Sequence, residues 1–153
     1  MFKLLLSLLL PFLAGGLGSA FTTPAIPTWY ASLNKPVWQP PSWLFGPVWT
    51  TLYILMGISF FLIIKDRSLV SVKSAVIIFV LQLIFNALWS TVFFGAKNIG
   101  GALGVIGLLW VLIIVNILIF YRLNKNSGIL LAPYLLWVSF ASFLNYTMWT
   151  LNR

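Results

Sequence analysis

The stretch Gly101–Tyr121, GALGVIGLLWVLIIVNILIFY, holds no charged side chain, and Asn116 is its one amide. As a helix rising 1.5 Å per residue it matches the roughly 30 Å hydrocarbon core of a bilayer, so it reads as a membrane span. Working outward, four further apolar runs are marked off by where the charges fall: about 4–20, 46–64, 74–94 and 129–150. Together they use most of the 153 residues and leave no room for a separate soluble domain. The expected fold is all-α: one integral membrane domain, residues 1–153, of five transmembrane helices with a long first loop over residues 21–45. Open β-structure is excluded, because lipid cannot satisfy the polar edges of a sheet.

Composition supports the same environment and removes several chemistries. Only 7% of residues are charged and 61% are hydrophobic, against about 25% charged in soluble domains. With no His and no Cys, disulfides, thiol nucleophiles and Cys/His metal sites are impossible. The one carboxylate, Asp66, stands between Lys65 and Arg67, so paired-carboxylate catalysis and an acidic coupling site for protons are absent. The net charge of +8 comes from basic residues scattered singly between apolar runs, which forms no nucleic-acid stripe. Lys3, Lys65, Arg67, Lys73, Arg122 and Lys125 fall on one side of the spans, and Lys35, Lys97 and Arg153 on the other. By the excess of basic residues in cytoplasmic loops, the N-terminus is expected inside and the C-terminus outside. The first segment also carries features of a signal peptide, with Lys3, the run Leu4–Leu10 and the small residues Gly18-Ser19-Ala20. Its apolar character continues past Pro11, with small residues suited to close helix packing, and it is taken as helix one.

The first loop is no flexible linker. Pro24, Pro27, Pro36, Pro40 and Pro41 fix backbone angles, while Trp29, Tyr30, Trp38 and Trp43 supply rings that favour a membrane boundary. It reads either as an aromatic belt that anchors the bundle or as a stiff lid. Inside the spans, Gln82, Asn86 and Ser90 recur every four residues with Trp89 beside them, which puts them on one helix face. Trp49 and Tyr53 share a face of the second span, and Trp137, Ala141 and Leu144 a face of the fifth, where Ala141 leaves space between larger neighbours. Asn116 and Asn145 add further amides. Such polar groups either bond helix to helix or meet a ligand. Aromatic faces are either packing or the walls of a site for a flat guest. Gly100 and Gly104 fit the G-x-x-x-G spacing of close helix packing, internal or between copies.

The loop Trp29-Tyr30-Ala31-Ser32-Leu33-Asn34-Lys35-Pro36-Val37-Trp38-Gln39-Pro40-Pro41 has the pattern W-Y-x-x-L-x-K-P-x-W-x-P-P. It is followed by Pro47-Val48-Trp49, Leu52-Tyr53, Gln82-Leu83, Asn86, Trp89-Ser90, Phe93-Phe94, Pro133-Tyr134, Trp137, Phe140-Ala141 and Leu144-Asn145-Tyr146. In these the chain resembles the translocator protein family (TspO/MBR), also called tryptophan-rich sensory proteins or peripheral benzodiazepine receptors. Segment four matches only in character. The resemblance implies a five-helix bundle, commonly a homodimer, in a bacterial cell membrane. It also implies a pocket beneath the first loop for protoporphyrin IX, haem-like tetrapyrroles and synthetic isoquinoline or benzodiazepine ligands, with no obligatory cofactor and no metal. By matching positions it implies that Tyr30, Trp49, Tyr53, Asn86, Trp89, Ser90, Trp137, Ala141 and Leu144 line that pocket. Trp49 and Trp137 stand where tryptophans are implicated in light- and oxygen-dependent porphyrin breakdown. The sterol pattern of the animal branch is interrupted, since Thr150 occupies its basic position after Tyr146. Leu118, Tyr121 and Lys125 fit the same permissive pattern at the end of segment four.

Three functions follow as expectations: tetrapyrrole binding and sensing, with Lys35 either steering ligand carboxylates or anchoring at the surface; photo-oxidative porphyrin degradation in the same pocket; or facilitated transport of a lipophilic ligand. The expected partners are membrane lipid, a flat apolar ligand and a second copy of the chain, with no nucleic acid.

Overall fold

A computed structural model describes residues 2–153. Five apolar helical spans alternate in direction, and the chain is a multi-pass membrane protein. Helix α1 (Phe2–Ala25) leads to the short α2 (Trp29–Ser32), and a 3-10 turn (Ser42–Leu44) enters α3 (Phe45–Ile64). Then come α4 (Lys73–Ser90), extended by a π turn (Thr91–Gly95), α5 (Ile99–Leu123), α6 (Lys125–Leu130) and α7 (Ala132–Leu151). Around the bundle the order is α3, α1, α4, α5, α7, with α6 packing back on α3.

Two boundaries differ from the expected ones for local reasons. The first span runs on to Ala25, because Thr22 Oγ1 donates to Gly18 O at 3.1 Å within the helix and Pro24 comes in its last turn. Loss of one N–H there costs little. The fifth span begins at Lys125 and resets at Leu131, just before Pro133. Proline has no N–H to continue the ladder but suits a helix start. Side chains cap two of the helices: Asn98 Oδ1 accepts from Gly101 N at 2.8 Å, and Asn124 Oδ1 from Ser127 N at 3.2 Å. The backbone leaves the π turn through Lys97, whose φ of 54° is left-handed.

The end of the bundle carrying Lys3 is solid. Phe60 and Phe79 stack at 4.3 Å with 4° between planes, and Phe120 joins them at 5.9 Å from Phe79. Ser59 and Ser127 each donate to the other's carbonyl at 2.8 Å, tying α3 to α6. Gly57 lets α1 come close, since a Cβ there would lie 3.0 Å from Ser7 O, the carbonyl that Pro11 leaves without its helical N–H. Two of the six basic residues at this end act as caps. Lys3 Nζ donates to Ile64 O, Lys65 O and Arg67 O at 2.8–3.1 Å, and Arg67 reaches Ile63 O and Leu123 O at 3.1 Å. Cations are favourable there because they meet unpaired carbonyls at helix C-termini.

Long apolar stripes face outward, as along Leu5, Leu9, Leu13 and Leu17 of α1 and Leu108, Val111, Val115 and Leu118 of α5. In water such faces would be a liability; in lipid they cost nothing.

Candidate functional site

The opposite, loop-bearing half of the bundle is hollow. A cavity of about 450 Å³ lies between α1, α3, the end of α4 with its π turn, and α7, and Tyr30 of α2 contributes from above. Its volume falls in the range of small-molecule sites, about 300–1,000 Å³. Among the described residues, no charged one lines it.

Eight of the nine residues named from the sequence line this space: Tyr30, Trp49, Tyr53, Trp89, Ser90, Trp137, Ala141 and Leu144. Asn86 differs. It lies below the floor, 4% exposed, where its amide is consumed by neighbours. Tyr53 OH donates to Asn86 Oδ1 at 3.3 Å, Asn86 Nδ2 donates to Tyr134 OH at 3.0 Å, and Tyr134 OH donates to Gln82 Oε1 at 2.9 Å. The polar face Gln82–Asn86–Ser90 does point inward, but only Ser90, at its upper end, reaches the cavity.

The indoles are held by specific contacts. Trp49 stacks on Tyr53 at 5.5 Å and meets the edge of Tyr134 at 6.2 Å. Trp89 Nε1 donates to Asn145 Oδ1 at 3.0 Å, and Asn145 Nδ2 donates to Ile99 O at 3.0 Å, so one amide fixes the indole and ties α7 to the start of α5. Trp137 packs between Phe45, at 5.9 Å, and Phe140, at 5.5 Å. Its Nε1 is buried without a hydrogen-bond partner.

The loop is a docked lid. Tyr30 is 4% exposed and rests on Phe93 and Phe94 at 6.3 and 5.5 Å. Burial pushes its phenol up to about 12, with the Gln39 side chain pulling the other way, so it is neutral at physiological pH. Trp38 stacks on Phe143 at 5.2 Å. Lys35 does not line the cavity: Nζ donates to Ala31 O at 3.1 Å and Leu33 O at 3.3 Å, and sits 5.0 Å from the centre of the Tyr30 ring.

Sequence reasoning missed the contribution of α1, whose Phe12, Gly15, Ser19 and Thr22 form a wall. The one signal was its small residues: Gly15 is required because a Cβ there would collide with the Tyr53 ring. It also passed over Phe93 and Phe94 as site residues. The π turn widens the helix, so these consecutive rings both face the cavity. Helix α5 contributes no lining residue and serves as a brace behind α4 and α7. Of its glycines, Gly100 is covered by Trp149, whereas Gly104 has nothing over it. On the same helix, Leu118 and Tyr121 are exposed on the lipid side, away from the cavity.

The arrangement offers aromatic walls and a few hydroxyls without an acid, base or charged group at hand, which suits binding of a flat apolar molecule. Comparison with known proteins agrees with the fold. The model of the TspO/MBR family matches residues 7–150. Tryptophan-rich protein TspO of Chlorobaculum tepidum is 43% identical over 139 residues, covering 90% of this chain and 88% of its own length. The tryptophan-rich sensory protein of Cereibacter sphaeroides is 38% identical, with 95% and 92% covered. The translocator protein of Bos taurus is 38% identical, with 95% and 87% covered. With segments of all five spans inside the match, this chain belongs to the TspO/MBR family.

Proposed function

We propose that the protein is a membrane-embedded binding and sensory protein whose cavity takes tetrapyrroles, protoporphyrin IX foremost, and related flat apolar ligands. The observation that carries this reading is the uncharged, aromatic-walled space of about 450 Å³ between the spans. Trp49, Trp89 and Trp137 offer faces for stacking, and the neutral Tyr30 hydroxyl offers a hydrogen bond. Synthetic isoquinoline and benzodiazepine ligands would compete for the same walls. The excess of basic residues at the Lys3 end supports an N-terminus on the cytoplasmic side of the membrane. The open face at Gly104 supports association of two copies.

Titration of the purified protein with protoporphyrin IX tests the reading. Saturable quenching of tryptophan fluorescence is expected, with affinity falling at least tenfold in Ala141→Leu, whose added side chain fills the space. Absence of quenching in the unaltered protein would overturn it.

A second reading, photo-oxidative breakdown of the bound porphyrin, draws support from Trp49 and Trp137 lining the same cavity. Light-excited pigment and dioxygen would supply the chemistry, and the protein position and shielding. Porphyrin absorbance under illumination in air should then decline faster than with Trp49→Phe/Trp137→Phe.

A further inference from the structure

The cavity is closed toward the lid and open toward the membrane. Above it, Tyr30 is buried against the π turn, and the loop is pinned to the end of α7 by Asn34 and Asn152. Along its side, several lining residues are exposed on the outer surface: Gly16, Ser19 and Thr23 on α1, and Ser42, Gly46 and Thr50 at and before the start of α3.

The register of the two helices makes these the facing rims of one slot. Lys3 meets the end of α3 at Ile64, Ser7 and Leu8 meet Gly57, and Gly15 meets Tyr53. Continuing this antiparallel sequence brings Gly16 level with Thr50, Ser19 with Gly46 and Thr23 with Ser42. Below Gly15 the helices are zipped by glycine contacts; above it they part. A Cβ at Gly16 or Gly46 would meet nothing within 4 Å.

We propose that this slot between α1 and the start of α3 is the ligand's doorway, through which a molecule dissolved in the lid-side half of the bilayer slides in edge-on. The proposal rests on the cavity being the ligand site. It restricts the ligand class to molecules that partition into lipid before they bind, and gives solutes confined to water no direct path. The rims are built for passage of an apolar body. Ser19 Oγ donates to Gly16 O at 2.9 Å, Thr22 Oγ1 to Gly18 O at 3.1 Å and Thr50 Oγ1 to Gly46 O at 2.9 Å. The Ser19, Thr22 and Thr50 hydroxyl hydrogens, spent on their own helix, are not free to hold a passing ring, which leaves Thr23 and Ser42 at the lid end of the slot as its hydroxyl donors, and among the described lining residues none is charged. Lipid chains fill the slot when ligand is absent and must be displaced as it enters.

Stopped-flow quenching of tryptophan fluorescence by protoporphyrin IX, with the full chain in lipid nanodiscs, tests the doorway. Gly16→Leu and Gly46→Leu narrow it from opposite rims, at positions with room for the added side chain. Each is expected to slow association at least tenfold and to slow dissociation by a similar factor, since a doorway is crossed in both directions. Asn152→Ala, which frees the lid, should leave both rates within twofold. Unchanged rates in the two leucine variants would overturn the doorway, as would weaker binding at an unaltered association rate, which would make these residues wall. Faster exchange in Asn152→Ala would place entry under the lid instead. Absence of quenching in the unaltered protein would reject the ligand site itself, a result distinct from slowed kinetics at a working site.

Discussion

Asn34 in the lid loop and Asn152 at the end of α7, 118 residues apart, grip one another reciprocally: Asn34 N donates to Asn152 Oδ1 at 2.9 Å, and Asn152 Nδ2 donates to Asn34 O at 2.8 Å. One side-chain amide thus supplies both halves of a backbone-like pairing and holds a proline-stiffened segment against the C-terminal helix. Asn152→Ala removes both bonds, each contributing about 1 kcal/mol. Amide hydrogens of Leu33, Asn34 and Lys35 are expected to exchange about tenfold faster, while those of α3 and α4 are unaffected. Equal exchange in both proteins would show that the stacking of Trp38 on Phe143 holds the loop unaided.

Gly15 and Tyr53 form a second such pair, because the tyrosine ring occupies the volume a side chain at position 15 would need. Gly15→Ala must push Tyr53 aside and disturb both its stacking on Trp49 and its bond to Asn86. Overpacking of this kind costs about 1–3 kcal/mol. A lower midpoint of thermal unfolding is expected, with recovery in the double variant Gly15→Ala/Tyr53→Leu. Failure of the second change to restore stability would assign the loss to helix α1 alone.

The chain of bonds beneath the floor distinguishes support from recognition. Asn86→Leu leaves Tyr53 OH without its acceptor and Tyr134 OH without its donor, a loss of about 1–3 kcal/mol. Unfolding should occur at a lower temperature, whereas protoporphyrin affinity should change less than threefold because Asn86 does not line the cavity. A large loss of affinity with unaltered stability would return Asn86 to the binding surface.

Tyr30 gives the lid a predictable response to alkali. Burial raises its phenol from 10.0 to about 12, so between these values the unfolded or undocked loop ionises while the docked one stays neutral. The undocked state then binds fewer protons, and lid docking weakens as pH rises through that window. The ultraviolet titration of tyrosine should contain a step near 12 that is missing in Tyr30→Phe, and lid docking in that variant should lose this part of its pH dependence. Between pH 6 and 9 ligand binding should carry no contribution from Tyr30 ionisation.

The sequence by itself determined the five spans, since a bilayer core tolerates only long uncharged helices and the charges mark where each ends. It also determined which faces of α3, α4 and α7 carry aromatic and polar groups, because 3.6-residue periodicity needs no knowledge of neighbours. The loop pattern from Trp29 to Pro41 carried the family. What only the tertiary structure decided are matters of pairing between distant segments. Asn86 looked as available as Ser90 until Tyr53 and Tyr134 came within bonding distance of its amide. Gly15 and Gly16 looked alike until one met a ring and the other met open space. Small residues such as these carry no chemical mark of their own; their meaning is set by what the facing helix brings up against them, and periodicity within one helix does not contain that information.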